Sequence, residues 1–557
     1  QLPPEAPAFS EGIDFDLSDY GFSLLRASMA LREQGGDQQV WRQGFVHSGG
    51  AFEALTQNGS QEDVWRGFHR VIGAAAYHLA GYSALAFSLL SQAHTSQNLT
   101  PAEEALSFLI LRDLQVLGRR ARAWLGAPEN GDEAISRAAA AGEADPDDVV
   151  ARIATSTMFR ALVFFEFGLQ TGNEALVREA HSLLQRAVSL TQSAGAVSLW
   201  WILRIAANLV DDLWSSSLHR VLPPAGPPDA TDYAKLRTLF ISELYSRRIS
   251  EVELWPSQLL AARRAVDISD DLVVALPTSA GKTRIAELAA LMALACGRRV
   301  LIVTPLRALS AQTERSFRKT FAPLGFSVSS LYGSSGIAGT DEDALREQSI
   351  VIATPEKLDF ALRNDPEIID DVGLIVLDEG HLIGPSEREI RYENFVQRLL
   401  RRADHATRRI VCLSAILPEG DQLSDLTAWI RSDAPGEPIQ SDWRPTRQRF
   451  GTLSWMGDAA RLSFDLEHDG PFIRNFVPSS PPIHPRRTPF PRDNKELTLA
   501  AAWRFSAQGK RTLIFCTQRD HVEGFAETVL DVQRRGFLPS LFPAPVGIGG
   551  ARVVGGG

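Results

Sequence analysis

From about residue 247 onward, five short runs of aliphatic and β-branched residues, at 272–276, 300–304, 349–353, 374–377 and 410–413, alternate with stretches of helical periodicity. Runs that are apolar throughout, rather than at every second position, have to bury both faces. The helical stretches between them are long enough to cross from one strand to the next. A parallel sheet covered by helices on both sides meets both requirements.

The first 221 residues have a different texture. Apolar residues recur at three- and four-residue spacing, for example over 64–90, 101–125, 149–169 and 174–190, and strand-like alternation is nearly absent. The stretches 174–193 and 194–218 read as one helical pair, but no fixed period recurs three times, so a repeat array has no clear signature. The proline-rich segment LPPAGPPDATD at 222–232 breaks the helical pattern, and a second proline-rich segment, 477–492, precedes one more strand and helix, 512–516 and 522–533. The sequence thus predicts a multidomain chain. An all-α domain at 1–221 is followed by a linker and connecting helix at 222–250 and an α/β lobe at 251–445. A proline-rich segment at 446–495 then leads to the start of a second α/β lobe at 496–557. The closing GARVVGGG reads as a flexible end.

Composition narrows the class. The most apolar helical stretch, 196–210, contains Arg204, is followed by Asp211 and Asp212, and falls short of the roughly 20 residues that a bilayer span requires. No charged n-region and apolar segment open the chain, which begins with Gln1, so nothing supports secretion or a membrane. The three cysteines, Cys296, Cys412 and Cys516, sit in or beside apolar runs without metal-ligand spacing, and the cytoplasm is the expected compartment. The net charge of −10 argues against a nucleic-acid partner, but its distribution weakens that objection. Residues 1–250 carry 20 basic and 28 acidic side chains, which leaves 37 and 39 for the rest. Only six of the 57 basic residues are lysine, so a lysine inside a motif carries extra weight.

One such lysine lies in Leu276-Pro277-Thr278-Ser279-Ala280-Gly281-Lys282-Thr283, between a predicted strand and a predicted helix. That is the setting of a loop that binds phosphate through backbone amides at a helix N-terminus. Gly281 lets the main chain approach the anion, Lys282 reaches the β- and γ-oxygens of ATP, and Thr283 offers a hydroxyl to Mg2+. The first glycine of the general pattern is replaced by Leu276. Further on, the strand 374–377 runs into Asp378-Glu379-Gly380-His381. Carboxylates at the carboxyl end of such a strand enter the ligand crevice of an α/β sheet. Asp378 is then the expected metal ligand, and Glu379 the group that orients or deprotonates the attacking water.

In this order the motifs resemble the superfamily 2 helicases of the DExH type, in the branch of archaeal repair helicases and exosome-associated RNA helicases. The resemblance covers roughly 251–445 and resumes at 512–522. It implies RecA-like lobes, the second represented only by its beginning, and an ATP-dependent helicase or translocase acting on DNA or RNA. Gln258 in Trp255-Pro256-Ser257-Gln258 corresponds to an adenine-reading glutamine. Thr304 and Arg307 with Gln312, and Thr354 and Lys357, correspond to residues that hold the nucleic-acid backbone, and His381 belongs to the catalytic set with Lys282, Asp378 and Glu379. Ser414-Ala415-Ile416 corresponds to the segment that couples hydrolysis to movement, although a threonine is expected at Ile416, and Leu513–Cys516 corresponds to motif IV. Glu387–Glu393 also resembles the stretch after the acid pair, with Glu389 where glycine is expected.

Two readings follow. In the first the chain is a motor; in the second the helical region binds a protein partner and the lobe acts as an ATP-controlled switch without unwinding. The bias of arginine over lysine suggests a GC-rich bacterium, where a long helical extension on such a motor suits genome defence or repair by analogy. The resemblance places the arginines of motifs V and VI past residue 557, and such an arginine is worth roughly 10³–10⁵ in rate. Residues 1–557 are therefore expected to bind ATP and Mg2+ but to turn over slowly in a steady-state ATPase assay. Fast nucleic-acid-stimulated turnover by this segment alone would contradict that expectation.

Overall fold

The computed structural model describes residues 9–538 except 61–62, 92–98, 142–144, 231, 332–344, 416–420, 465–471, 483–487 and 508–509. Phe9–Thr446 form one compact unit, and the described part of Arg447–Gly557 forms another.

The first unit begins with helices only. The longest are Glu11–Glu33, Gln38–Asn58, Pro146–Thr171, Glu174–Ala194 and Val197–Ser215. Helices adjacent in sequence pack on one another, around a core that includes Leu25, Phe52, Phe165 and Leu209. Their ends follow local sequence: Asp145 caps Pro146–Thr171 by accepting from the N–H of Asp147 at 3.2 Å, with Pro146 in the first turn. The expected run 64–90 is two helices, Arg66–Leu79 and Ser83–Ser91, and 101–125 likewise divides at Arg112.

The second part of this unit is a seven-stranded sheet: β1 (Leu272–Ala275), β2 (Arg299–Val303), β3 (Val328–Leu331), β4 (Ile350–Ala353), β5 (Val372–Asp378), β6 (Arg409–Ser414) and β7 (Ile439–Gln440). They lie in the order β3-β4-β2-β5-β6-β1-β7, and every pairing is parallel. The runs divide by parity. Val274, Ile302, Ile352, Val376 and Leu413 enter one core; Val273, Leu301, Val351, Ile375 and Cys412 enter the other. Both faces are buried, as the uninterrupted apolar runs require. Helix Tyr233–Ser246 places Phe240, Ile241 and Leu244 in the core of the lobe, while its Tyr245 joins the helical core.

A buried polar cluster ties the helical region to the segment that leads into the sheet. The Arg112 guanidinium donates to both carboxylate oxygens of Glu253, at 2.9 and 2.8 Å, and to His78 Nε2 at 2.6 Å. The peptide oxygen of Arg112 accepts from Ser250 N at 2.9 Å. Because an arginine can only donate, His78 accepts and is neutral. Burial, with the charge of Arg112 adding to it, lowers its pKa to about 3.

The second unit is an antiparallel sheet of β8 (Gly451–Trp455), β9 (Ala459–Phe464) and β10 (Phe472–Pro478) in the order β10-β9-β8, with helices Asn494–Ala507 and Arg519–Arg534. This sheet lies in the segment read from sequence only as proline-rich. The strand expected at 512–516 does not form: these residues join no ladder, and Leu513 and Phe515 are 92% and 84% exposed. An apolar run forms a parallel strand only with a neighbour to pair with, and the described strands of this unit pair only with one another.

The state of His78 predicts a pH dependence. The unfolded imidazole takes up a proton near 6.5, whereas the folded one stays neutral to about 3. The unfolded chain therefore binds more protons below pH 6.5, and stability falls as pH decreases, by about 1.4 kcal/mol per pH unit for this group. Urea midpoints of wild type and His78→Gln between pH 7 and 5 should show a shallower decline in the variant. Parallel profiles would rule this out.

Candidate active site

The phosphate loop leaves β1 at Ala275 and ends at Gly281, which precedes helix Lys282–Ala295. Two of its residues have left-handed backbone, Ser279 at φ 71° and Gly281 at φ 86°. A side chain at Gly281 would also collide with Gln258, whose Nε2 lies 2.0 Å from where a Cβ would stand. Gln258 is 6% exposed. Its Oε1 accepts from Trp255 N at 2.8 Å and its Nε2 donates to Gly281 O at 3.1 Å. Ser257 Oγ adds a bond to Ala280 O at 3.0 Å. Trp255-Pro256-Ser257-Gln258 thus fixes the outer turn of the loop from a preceding helix. Pro277 and Ala280 are buried, while Thr278, Ser279 and Thr283 face solvent.

Facing this loop across the sheet edge is the turn after β5. Asp378 is its last residue, and Glu379 adopts φ 53°, left-handed backbone of the kind concentrated at functional sites. Lys282 Nζ lies 3.1 Å from Glu379 Oε1, so the two motifs, 97 residues apart, meet through their charged groups. Burial, reinforced by the adjacent Glu379 carboxylate and opposed by Lys282, raises the Asp378 pKa to about 6. A half-buried carboxylate beside a second one is an arrangement that a divalent cation neutralises. Among the described residues no cluster of three or more His, Cys, Asp or Glu forms a self-contained metal cage.

Strand β6 separates the two loops and fixes both. Leu276 N donates to Ser414 O at 3.1 Å on one side, and Gly380 N donates to Leu413 O at 2.8 Å on the other. Ala415 N, just past β6, donates to His381 Nδ1 at 3.2 Å. The same nitrogen lies 3.4 Å from Glu379 Oε2. Burial lowers the His381 pKa, against the opposing pull of Glu379. The Ser414 hydroxyl is turned back onto Ala415 O at 2.8 Å, and Ile416 lies outside the described residues.

Thr304 and Thr354 follow the neighbouring strands β2 and β4, and Thr304 N donates to Ala353 O at 3.0 Å. Both threonines are buried, and the Thr304 hydroxyl is bonded to Ser310. The surface presented at this end of the sheet is therefore that of Arg307 and Gln312, both exposed, and of half-buried Lys357. Sequence reasoning missed Ser257 and Ser310, whose signal is only a small polar residue beside a motif. It also missed Arg388, which spans from Glu356 to the Pro305 carbonyl.

Residues 255–423 match the family described as DEAD/DEAH box helicase. The chain carries a superfamily 2 helicase lobe. It is 25% identical over 454 residues to Hachiman protein HamB of Bacillus cereus, covering 79% of this chain and 38% of that protein. It is 35% identical over 214 residues to the ATP-dependent DNA helicase Hel308 of Pyrococcus abyssi, covering 38% of this chain and 28% of that one. A crystal structure of the DUF1998 helicase MrfA bound to DNA and AMPPNP shares 20% identity, with a TM-score of 0.31, over 39% of this chain and 30% of that chain. The chain thus spans well under half the length of these relatives. The likeness to HamB is longer than the whole stretch from 255 to 557, so it reaches into the helical region as well.

In the helicase lobe, Gly380 is required by its neighbour: a Cβ there would stand 2.2 Å from Cys412 Sγ. Gly380→Ala should destabilise by roughly 1–3 kcal/mol through overpacking. Adding Cys412→Ala should restore most of that loss in a thermal-denaturation double-mutant cycle. Additive effects would show that the two positions are not in contact.

Proposed function

We propose that the chain binds Mg2+·ATP between the phosphate loop and the acid pair and serves as the ATP-driven part of a nucleic-acid helicase or translocase. The observation that carries this reading is the meeting of Lys282 with Glu379 beside Asp378 on the carboxyl edge of a parallel sheet. The donor set suits the ligand: loop amides and Lys282 for phosphate oxygens, and Asp378 with the Thr283 hydroxyl for the metal. Bound Mg2+ would neutralise charge developing on the phosphates. Glu379 holds Lys282 in the ion pair, and once that lysine engages phosphate the carboxylate is free to orient water and accept its proton. His381, joined to Ala415, ties this chemistry to the end of β6.

Arg307, Gln312 and Lys357, beyond β2 and β4, supply donors suited to a phosphate backbone read without regard to sequence. DNA is the proposed strand because relatives are described as DNA helicases, and a defence role is proposed from the likeness to a Hachiman protein. The reading as a nucleotide-controlled interaction protein differs in predicting no strand displacement.

In the full-length gene product, Lys282→Ala and Glu379→Gln should each lower nucleic-acid-stimulated ATP hydrolysis at least about a hundredfold. Turnover within a few fold of wild type would refute the assignment. Arg307→Ala should weaken DNA binding equally across unrelated sequences and reduce the slope of log K against log salt by about 1. An unchanged slope in fluorescence-anisotropy titrations would remove Arg307 from the interface.

A further inference from the structure

Beside the phosphate loop, a cleft of about 510 Å³ opens between the helical region and the helicase lobe. Gln258, Gly281 and Thr283 line it on the side of the lobe, and Ser83, Ala84 and Phe87 line it from helix Ser83–Ser91. A ligand held by the phosphate loop and extending into this cleft would have its non-phosphate end beside residues from the helical region.

The lining suits a flat heteroaromatic ring. Phe87 is 47% exposed, while Ala86, Leu89 and Leu90 of the same helix are buried. An aromatic ring left open to a cleft is a stacking surface. Trp255 lines the same cleft. Gln258 has committed half of its amide, one lone pair to Trp255 N and one N–H to Gly281 O, so one acceptor site and one donor remain. That pair complements the neighbouring amino donor and ring-nitrogen acceptor of adenine.

The cleft also has a stiff frame. Arg112 and Glu253, both among its lining residues, form the buried two-pronged pair described above. Glu251, at the rim, is tied to Arg247 at 2.7 Å and to Arg284. Its main charges are thus paired within the protein, and the wall nearest helix Ser83–Ser91 is left to Phe87.

We propose that the helical region forms one wall of the base subsite, with Phe87 as its stacking face, so that the identity and presence of the nucleotide are felt directly by the helices. This rests on the reading that the phosphate loop binds ATP, and the test separates the two. Dissociation constants for ATP and for inorganic tripolyphosphate would be measured by calorimetry on the full chain and on Phe87→Ala, Phe87→Tyr and Lys282→Ala. Phe87→Ala should weaken ATP roughly five- to fiftyfold and leave tripolyphosphate unchanged, Phe87→Tyr should keep ATP affinity, and Lys282→Ala should weaken both ligands. Loss of both ligands in Phe87→Ala, or unchanged ATP affinity there while Lys282→Ala loses it, would overturn the helical wall and leave the phosphate-loop reading standing. Unchanged affinities in Lys282→Ala would overturn both.

Discussion

The site depends on the position of β6 between β1 and β5. Its last residues accept a peptide N–H from the phosphate loop on one side and from the acid-pair turn on the other, so that Ser414 and Leu413 set the distance between two charged loops far apart in sequence. With that distance fixed, Lys282 reaches Glu379 at 3.1 Å. The left-handed residues Ser279, Gly281 and Glu379 lie on the two sides of this gap. At Ser279 and Glu379, which unlike glycine pay for this conformation, such strain persists only where the surrounding structure holds it. Here the sheet register holds it from below, and Gln258 and Ser257 hold the phosphate loop from outside.

The same edge extends past β5 to β2 and β4, so the residues proposed to hold nucleic acid lie on segments that follow strands contiguous with the one that carries the acid pair. His381 and Ala415 supply a bond by which a change at the acid pair would reach the end of β6. On the far side of the phosphate loop, Glu253 and Arg112 join the segment preceding Gln258 to the helical region. Breaking a buried pair of this kind leaves an uncompensated charge, which makes the helical region a structural companion of the lobe.

Much of this was legible in the sequence because it rests on uninterrupted apolar runs. The strands β1, β2, β4, β5 and β6 are such runs, and each was expected within a residue or two of its observed limits. By contrast β3, Val-Ser-Ser-Leu, is half polar, and β7 has two residues; neither carries enough apolar pattern to be read. Strands β8 to β10 mix polar residues with apolar ones and lie among prolines, which hid their pairing. Leu513 to Cys516 shows the opposite failure: its pattern suits a strand, yet pairing depends on a neighbour that a one-dimensional pattern cannot supply. At the site, the loop and the acid pair were readable from residue type and order. The Thr304 hydroxyl bonded to Ser310 and the Arg112–Glu253 pair were not, since they depend on the direction of a side chain or on a contact across 141 residues.

The central claim is that one nucleotide site joins residues 276–283 to residues 378–381. A crystal structure of the chain with a non-hydrolysable ATP analogue and Mg2+ tests it most directly. The account predicts Lys282 Nζ on the terminal phosphates, having left Glu379, and the metal bound to Thr283 with Asp378 directly or through water. Density for the analogue elsewhere, or a saturated crystal in which the Lys282–Glu379 ion pair persists with no phosphate beside it, would contradict the account.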